Sequence, residues 1–208
     1  MMMLSTRLML PVLMVLSLVL VQSVNGCPSF CSCSKGTIVC SNNSFLQIEA
    51  DKIPKITIKL DYSNNKLSKI TDKHFQGLNF LKILYLHNNM ISTIEDNSFK
   101  DLANLTTLTL NTNKINSITT NTFKGLFKLK NLMMENLNHH GSRQLKLADG
   151  AFSNLNDLEV LILNNNKMEH FTDDTFKGLN NLKSLNFQFG MVSSISSKAF
   201  DMMSLIHI

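Results

Sequence analysis

Leu81-Lys-Ile-Leu84-Tyr-Leu86-His-Asn-Asn89-Met-Ile91 and Leu105-Thr-Thr-Leu108-Thr-Leu110-Asn-Thr-Asn113-Lys-Ile115 are one pattern written twice, with Leu105 standing to the second copy as Leu81 stands to the first. Each copy is followed at matching distances by an Ile and a Phe-x-x-Leu: Ile94 with Phe99 and Leu102, then Ile118 with Phe123 and Leu126. A fixed period of about 24 residues marks a solenoid, in which a unit buries its apolar face only against its neighbours. Such an architecture offers long binding surfaces and seldom an active site.

With Thr57 as the first strand position, further units begin at Leu81, Leu105, Leu129, Leu158 and Leu182, in equal steps except for the longer one from Leu129 to Leu158. A partial seventh unit begins near Ile206. The pattern L-x-x-L-x-L-x-x-N-x-L resembles a leucine-rich repeat, and the match runs over about three quarters of the chain. The expected fold is an α/β, right-handed leucine-rich repeat solenoid, a horseshoe with a concave parallel sheet.

Each position in the unit has a physical task. In the third copy Leu108 and Leu110 point to one side of a short strand, and Thr107, Thr109 and Asn111 point to the other. The column Asn65, Asn89, Asn113, Asn166 follows each strand where the chain turns. A buried side-chain amide there can pair with backbone groups that the turn leaves open. Phe75, Phe99, Phe123, Phe152, Phe176 and Phe200 are expected to stack as a spine on the convex side. Both columns read as packing.

Residues 1–26 hold Arg7, an apolar run from Leu8 to Val21 and a close of Val24-Asn25-Gly26. This is the form of a secretory signal peptide, too short for a spanning helix. A lipoprotein anchor on Cys27 is the rival reading, and Asn25 suits it poorly. The four cysteines, Cys27, Cys31, Cys33 and Cys40, follow at once. An even count after an export signal points to disulfides in a cap over residues 27–56. Four cysteines allow three pairings, and the residues alone do not choose among them. A zinc site lacks the two separated C-x-x-C pairs. A solenoid end needs such a covalently stapled cover.

Cys27-Pro28-x-x-Cys31-x-Cys33-x6-Cys40, then Ile53-Pro54 and the repeats, resembles the N-terminal cap of extracellular leucine-rich repeat proteins. That group includes the small leucine-rich proteoglycans, Slit-type guidance proteins, Toll-like ectodomains and variable lymphocyte receptors. The resemblance implies bonds between Cys27 and Cys33 and between Cys31 and Cys40. It also implies ligands held on the concave face or at the rim near an insertion. The chain departs from the family pattern in four respects. There is no further cysteine for a C-terminal cap, and the fourth unit is five residues longer with Leu137 at the Asn position. Gly190 replaces Asn in the sixth unit, and Phe200 leads into only part of a seventh. An uncapped end is a dimer surface, or else the chain is a fragment.

Composition agrees with export. The chain has 20 Lys plus Arg against 15 Asp plus Glu, a formal +5; loss of the signal removes Arg7 and leaves 19 against 15, or +4. The basic residues are scattered, which argues against nucleic acid and leaves weak contact with a matrix glycan open. After residue 26 no apolar stretch approaches about 18 to 20 residues, so no membrane span and no lipid-anchor tail is expected. The sequons Asn42-Asn43-Ser44 and Asn104-Leu105-Thr106 make Asn42 and Asn104 glycosylation candidates.

The outward strand positions form three lanes on the concave face. Lys59, Ile83, Thr107, Asn131, Val160 and Ser184 make the first; Asp61, Tyr85, Thr109, Met133, Ile162 and Asn186 the second; Ser63, His87, Asn111, Glu135, Asn164 and Gln188 the third. The ligand-binding set expected from these is Ile83, Tyr85, His87, Thr109, Asn111, Met133, Glu135, Val160, Ile162 and Asn164. Aromatic and adaptable apolar residues ringed by amides suit a protein partner. The long fourth unit adds Asn138-His139-His140-Gly141-Ser142-Arg143, an exposed loop of the kind that carries recognition, with no third ligand for a metal. Asp173-Asp174 reads as a solvent-facing corner. No phosphate loop, nucleophile elbow or His-x-x-x-His pair is present, so neither enzyme nor cofactor is expected. The expected role is that of a secreted extracellular binding protein, whose partner is an extracellular ligand or receptor. The alternatives are the ligand-binding part of a membrane receptor for adhesion or innate immunity, and a structural protein of the extracellular matrix.

Overall fold

The computed structural model describes residues 26–137 and 144–201. Residues 1–25, which hold nearly all of the expected signal peptide, residues 138–143 of the lengthened fourth unit and residues 202–208, where the partial seventh unit is expected, lie outside the described residues.

Strands β1 (Ser32–Ser34) and β2 (Thr37–Val39) form an antiparallel hairpin in the cap. β2 then pairs in parallel with β3 (Lys59–Asp61), so the cap opens the same sheet that the repeats continue. That sheet runs on through β5 (Ile83–Tyr85), β7 (Thr107–Thr109), β9 (Asn131–Met133), β11 (Val160–Ile162) and β13 (Ser184–Asn186). Three two-stranded parallel pairs lie on the return side. They are β4 (Lys69–Ile70) with β6 (Thr93–Ile94), β8 (Ser117–Ile118) with β10 (Lys146–Leu147), and β12 (Lys167–Phe171) with β14 (Met191–Ile195). Tight turns make up the rest, and a 3-10 turn at Ala50–Lys52 is the only helix among the described residues. The molecule is a parallel-sheet solenoid of six turns behind a disulfide-bonded cap. Cys27 is bonded to Cys33 and Cys31 to Cys40, so the bridges interleave. Cys40 is buried and its N–H donates to the Asp61 carbonyl at 2.7 Å, which ties the staple to the first repeat.

The two-residue strand period decides which side chains enter. Leu60, Leu84, Leu108, Leu132, Leu161 and Leu185 stand at the strand centres and are buried, while their neighbours face out. Burial of each such side chain contributes about 1.5 to 3 kcal/mol. On the far side the phenylalanines stack in sequence, with ring centroids 5.8 Å apart for Phe75 and Phe99, 6.5 Å for Phe99 and Phe123, and 6.0 Å for Phe123 and Phe152. The stack continues through Phe176 at 6.1 Å and Phe200 at 5.6 Å.

The asparagine column closes the turns. Asn113 Nδ2 donates to the carbonyls of Leu110 (2.7 Å) in its own unit and Leu86 (3.0 Å) in the preceding one, and Oδ1 accepts the Ile91 N–H at 3.0 Å. Asn89 repeats this with Leu86, Tyr62 and Leu67, and Asn65 reaches back to the Cys40 carbonyl of the cap at 2.9 Å. The residue just before the column is left-handed in every unit: φ is 55° at Asn64 and Asn88, 54° at Thr112 and Asn136, 55° at Asn165 and 56° at Phe189. Asn tolerates that conformation better than other side chains, which explains four of the six.

Glycine is needed where units approach most closely. A Cβ on Gly125 would lie 2.5 Å from Lys100 Cα, whereas on Gly150 the nearest atom would be 3.8 Å away. Gly125→Ala is therefore expected to cost at least about 2 kcal/mol more than Gly150→Ala in urea unfolding, since both share a positive φ and differ in space. Equal costs would mean the close approach is relaxed in solution. Asn113→Ala is expected to destabilise by more than about 2 kcal/mol, because it leaves three buried backbone groups without a partner.

Candidate functional site

The outward side chains of the sheet are in strict register. Lys59, Ile83, Thr107, Asn131, Val160 and Ser184 are successive neighbours, and so are Asp61, Tyr85, Thr109, Met133, Ile162 and Asn186. Parallel pairing without offset turns two positions per repeat into two continuous surface rows. Tyr85 is half-buried, with Lys59 Nζ 4.8 Å from its ring centroid and the His87 ring edge-on at 5.8 Å. Ile83, Met133, Val160 and Ile162 are also half-buried, and Met133 neighbours Ile162. Ile83, Tyr85 and His87 therefore form one group, and Met133, Val160 and Ile162 a second.

Thr109 stands between the two groups and is itself nearly covered. It is only 7% exposed, and its Oγ1 is 2.8 Å from His87 Nδ1. Larger neighbours stand on both sides of it, and its hydroxyl holds the imidazole in place, so it offers a ligand less surface than the other lane residues. The third lane is knit by hydrogen bonds. Glu135 N–H donates to Asn111 Oδ1 at 3.0 Å, Asn111 Nδ2 donates to Glu135 Oε1 at 3.2 Å, and Gln188 N–H donates to Asn164 Oδ1 at 2.9 Å. Asn111, Glu135 and Asn164 are thus half-buried polar groups with part of their bonding capacity already used. Ser63 and Asp61 bond to each other at the cap end.

Two edges flank these lanes, and neither stood out from the repeat alone. Along one, Glu159 lies between Lys130 (2.8 Å) and Lys183 (2.7 Å), bridging the fourth, fifth and sixth units. Hydrogen bonds from the two ammonium groups hold its carboxyl well below the usual range, at about 2. The signal was the charge alternation Lys130, Glu159, Lys183 at the repeat spacing. Along the other edge runs the left-handed rim described above. Asn42 of the cap shares that conformation at φ 62° and is exposed. Asn104 is half-buried, its amide donating to the Asn79 carbonyl at 2.8 Å and accepting from Lys128 Nζ at 2.9 Å.

A furrow lined by Asp149, His170, Thr172, Asp173 and Ser194 lies on the return side, away from the lanes. Its polar groups serve one another: Thr172 donates to Asp149, Ser196 to Asp173, and His170 Nδ1 is 2.7 Å from Ser194 Oγ. Asp174 pairs locally with Lys177 at 3.2 Å, and the Thr172–Asp149 and Ser196–Asp173 bonds are the ones that brace adjacent turns. Among the described residues no three His, Cys, Asp or Glu gather as metal ligands. The loop with His139 and His140 lies outside the described residues.

The leucine rich repeat family matches this chain over residues 57–115, 80–139 and 134–190, which together run over more than half of it. Among solved structures the chain is similar to TLR13, in a crystal structure of its complex with ssRNA13, at 24% sequence identity and a TM-score of 0.68. The likeness covers 81% of this chain and 24% of that one, so this chain spans about a quarter of the length of TLR13.

The Glu159 bridge has a pH signature. A carboxyl held low in the folded state adds stability that is full above about 4.5, its ordinary value, and is lost as pH falls toward about 2. A carboxyl-carbon NMR titration is expected to place its midpoint near 2 and to move it upward in Lys130→Ala and again in Lys130→Ala/Lys183→Ala. An ordinary midpoint in the native chain would show the bridge to be absent in solution.

Proposed function

The chain belongs to the leucine-rich repeat family, and from that premise we propose that it is a secreted recognition protein that binds an extracellular protein through the middle of its concave face. The observation that carries this reading is the second lane, where half-buried Tyr85 and the adjacent pair Met133 and Ile162 lie on either side of the buried Thr109. Amides from Asn111, Asn131, Asn164 and Asn186 border it. An apolar centre with a polar margin is the composition of a protein interface rather than of a catalytic cleft. The family, the stapled cap and the exposed Asn42 sequon support an extracellular site of action, with the glycan on Asn42. Asn104 is the poorer acceptor because its amide is engaged.

A second reading is that the chain is the ligand-binding part of a receptor, supported by its likeness to TLR13. The TLR13 structure holds ssRNA13, yet the lanes here suit RNA poorly. They carry one lysine, Lys59, which is engaged with the Tyr85 ring, against the acids Asp61 and Glu135. Nucleic-acid binding rests on many phosphate contacts from cations.

The test is a comparative capture of extracellular proteins with the native chain and with the folded variants Tyr85→Ala and Ile162→Asp. At least one native partner is expected to bind about tenfold or more weakly to each variant, with little dependence on salt. Partners indifferent to both variants would refute the concave-face reading. Retention of collagen or heparin alone would favour a matrix role, and salt-sensitive binding of a labelled single-stranded RNA would favour nucleic acid.

A further inference from the structure

In the sixth unit the rim changes chemistry. Where the fifth unit has Asn165-Asn166-Lys167, the sixth has Phe189-Gly190-Met191. Phe189 takes the left-handed conformation at φ 56°, which costs a bulky side chain more than it costs Asn. Packing does not offset that cost, since Phe189 is 84% exposed and its ring meets no aromatic ring among the described residues. Gly190 has no room for a side chain: a Cβ there would sit 2.8 Å from the Phe187 carbonyl oxygen. Met191 is 66% exposed.

The exposure is not a consequence of standing at the last described unit. Asn88, Thr112 and Asn165 occupy the same position with a repeat on each side and are exposed, and Asn136, beside the lengthened part of the fourth unit, is half-buried. Lys114 and Lys167, which correspond to Met191, are exposed as well. A further repeat stacked on the sixth unit would therefore leave Phe189 and Met191 facing solvent. Lys167 is the direct strand neighbour of Met191 and has no ion pair among the described residues. The rim thus presents two apolar side chains beside an uncompensated ammonium group, on a backbone held in a costly conformation. Strain that packing does not explain is a mark of functional positions.

We propose that Phe189, Met191 and Lys167 form a recognition site for a protein segment that sets an aliphatic or aromatic side chain next to a carboxylate. The site rests on the protein-recognition reading above and adds the sixth-unit rim to it. The apolar side chain packs on Phe189 and Met191, and the carboxylate meets the Lys167 ammonium.

The full chain with 13C-labelled methionine methyls is titrated with acetyl-Glu-Leu-Phe-Glu-amide and, for comparison, acetyl-Lys-Leu-Phe-Lys-amide. The Met191 methyl reports the rim and the Met133 methyl the concave lane. The acidic peptide is expected to shift Met191 saturably, at least tenfold more tightly than the basic one, and Phe189→Asn and Lys167→Glu each to weaken it about tenfold or more. Phe189→Asn is also expected to raise Tm by about 2 to 4 °C, because it relieves the left-handed strain. Thr112→Asn is expected to raise Tm likewise while keeping the peptide. The proposal is overturned if no saturable Met191 shift occurs, if Phe189→Asn binds like the native chain, or if that variant lowers Tm and so reveals a packing role. A peptide that shifts only Met133 also overturns it, and leaves the concave-face reading standing.

Discussion

Where the column is asparagine, the turn before it leaves backbone groups open that a side-chain amide of the following turn closes. Asn113 pairs with the Leu86 carbonyl and the Ile91 N–H of the unit before it, and Asn89 does the same for Tyr62 and Leu67. A buried polar group without a partner costs about 1 to 3 kcal/mol, so one unit alone is not only short of apolar contacts but also carries unmet hydrogen bonds. The cap is drawn into the same chain of dependence, because Asn65 donates to the Cys40 carbonyl. The disulfides therefore hold the segment that the first repeat must bond to, and covering an apolar end is only part of their task.

That dependence is one-dimensional, and it divides the residues cleanly. Leucines, phenylalanines and asparagines in the columns meet a demand of the ladder itself, whereas the lane residues meet one another side chain to side chain along the surface, as Lys59 meets Tyr85 and Asn111 meets Glu135. Tyr85, Met133 and Ile162 can change without disturbing the ladder, which leaves the concave rows available for recognition. Thr109 shows where the division fails: a small side chain between larger neighbours is drawn into supporting His87. Outward direction does not ensure exposure.

The columns were legible because a constant period repeats the same demand at the same place. Strand register, the inward leucines, the phenylalanine stack and the asparagine bonds all follow from it. The cysteine pairing was not legible from the residues, since three pairings satisfy the count, and the resemblance to extracellular caps supplied it. The Lys130, Glu159, Lys183 bridge was written at repeat spacing but lies just before the strands, outside the lanes that a strand-centred reading inspects. Phe189 was in plain view as a departure from the Asn rim. Its meaning needed the backbone angle and the exposure together, because an exposed aromatic alone is unremarked on most surfaces.

The long fourth unit shows how such a scaffold admits variation. β9 and β11 remain in register although the whole lengthened unit separates Asn131 from Val160, and β8 and β10 pair Ile118 with Leu147 across the same interval. Asn166 still donates to the Met134 carbonyl at 2.7 Å, the equivalent of the Leu86 bond made by Asn113. Its oxygen, however, accepts from the Leu137 N–H, at the column position, where Asn113 accepts two residues further on from Ile91. Both ladders therefore keep their register across the lengthened unit, and the amide bond moves to Leu137. Extra residues are tolerated because the leucine rows and the amide bonds on either side of them are still satisfied. Asn136, beside Leu137, keeps the left-handed turn that Phe189 keeps in the sixth unit, so the sequence of the rim varies while the core is kept.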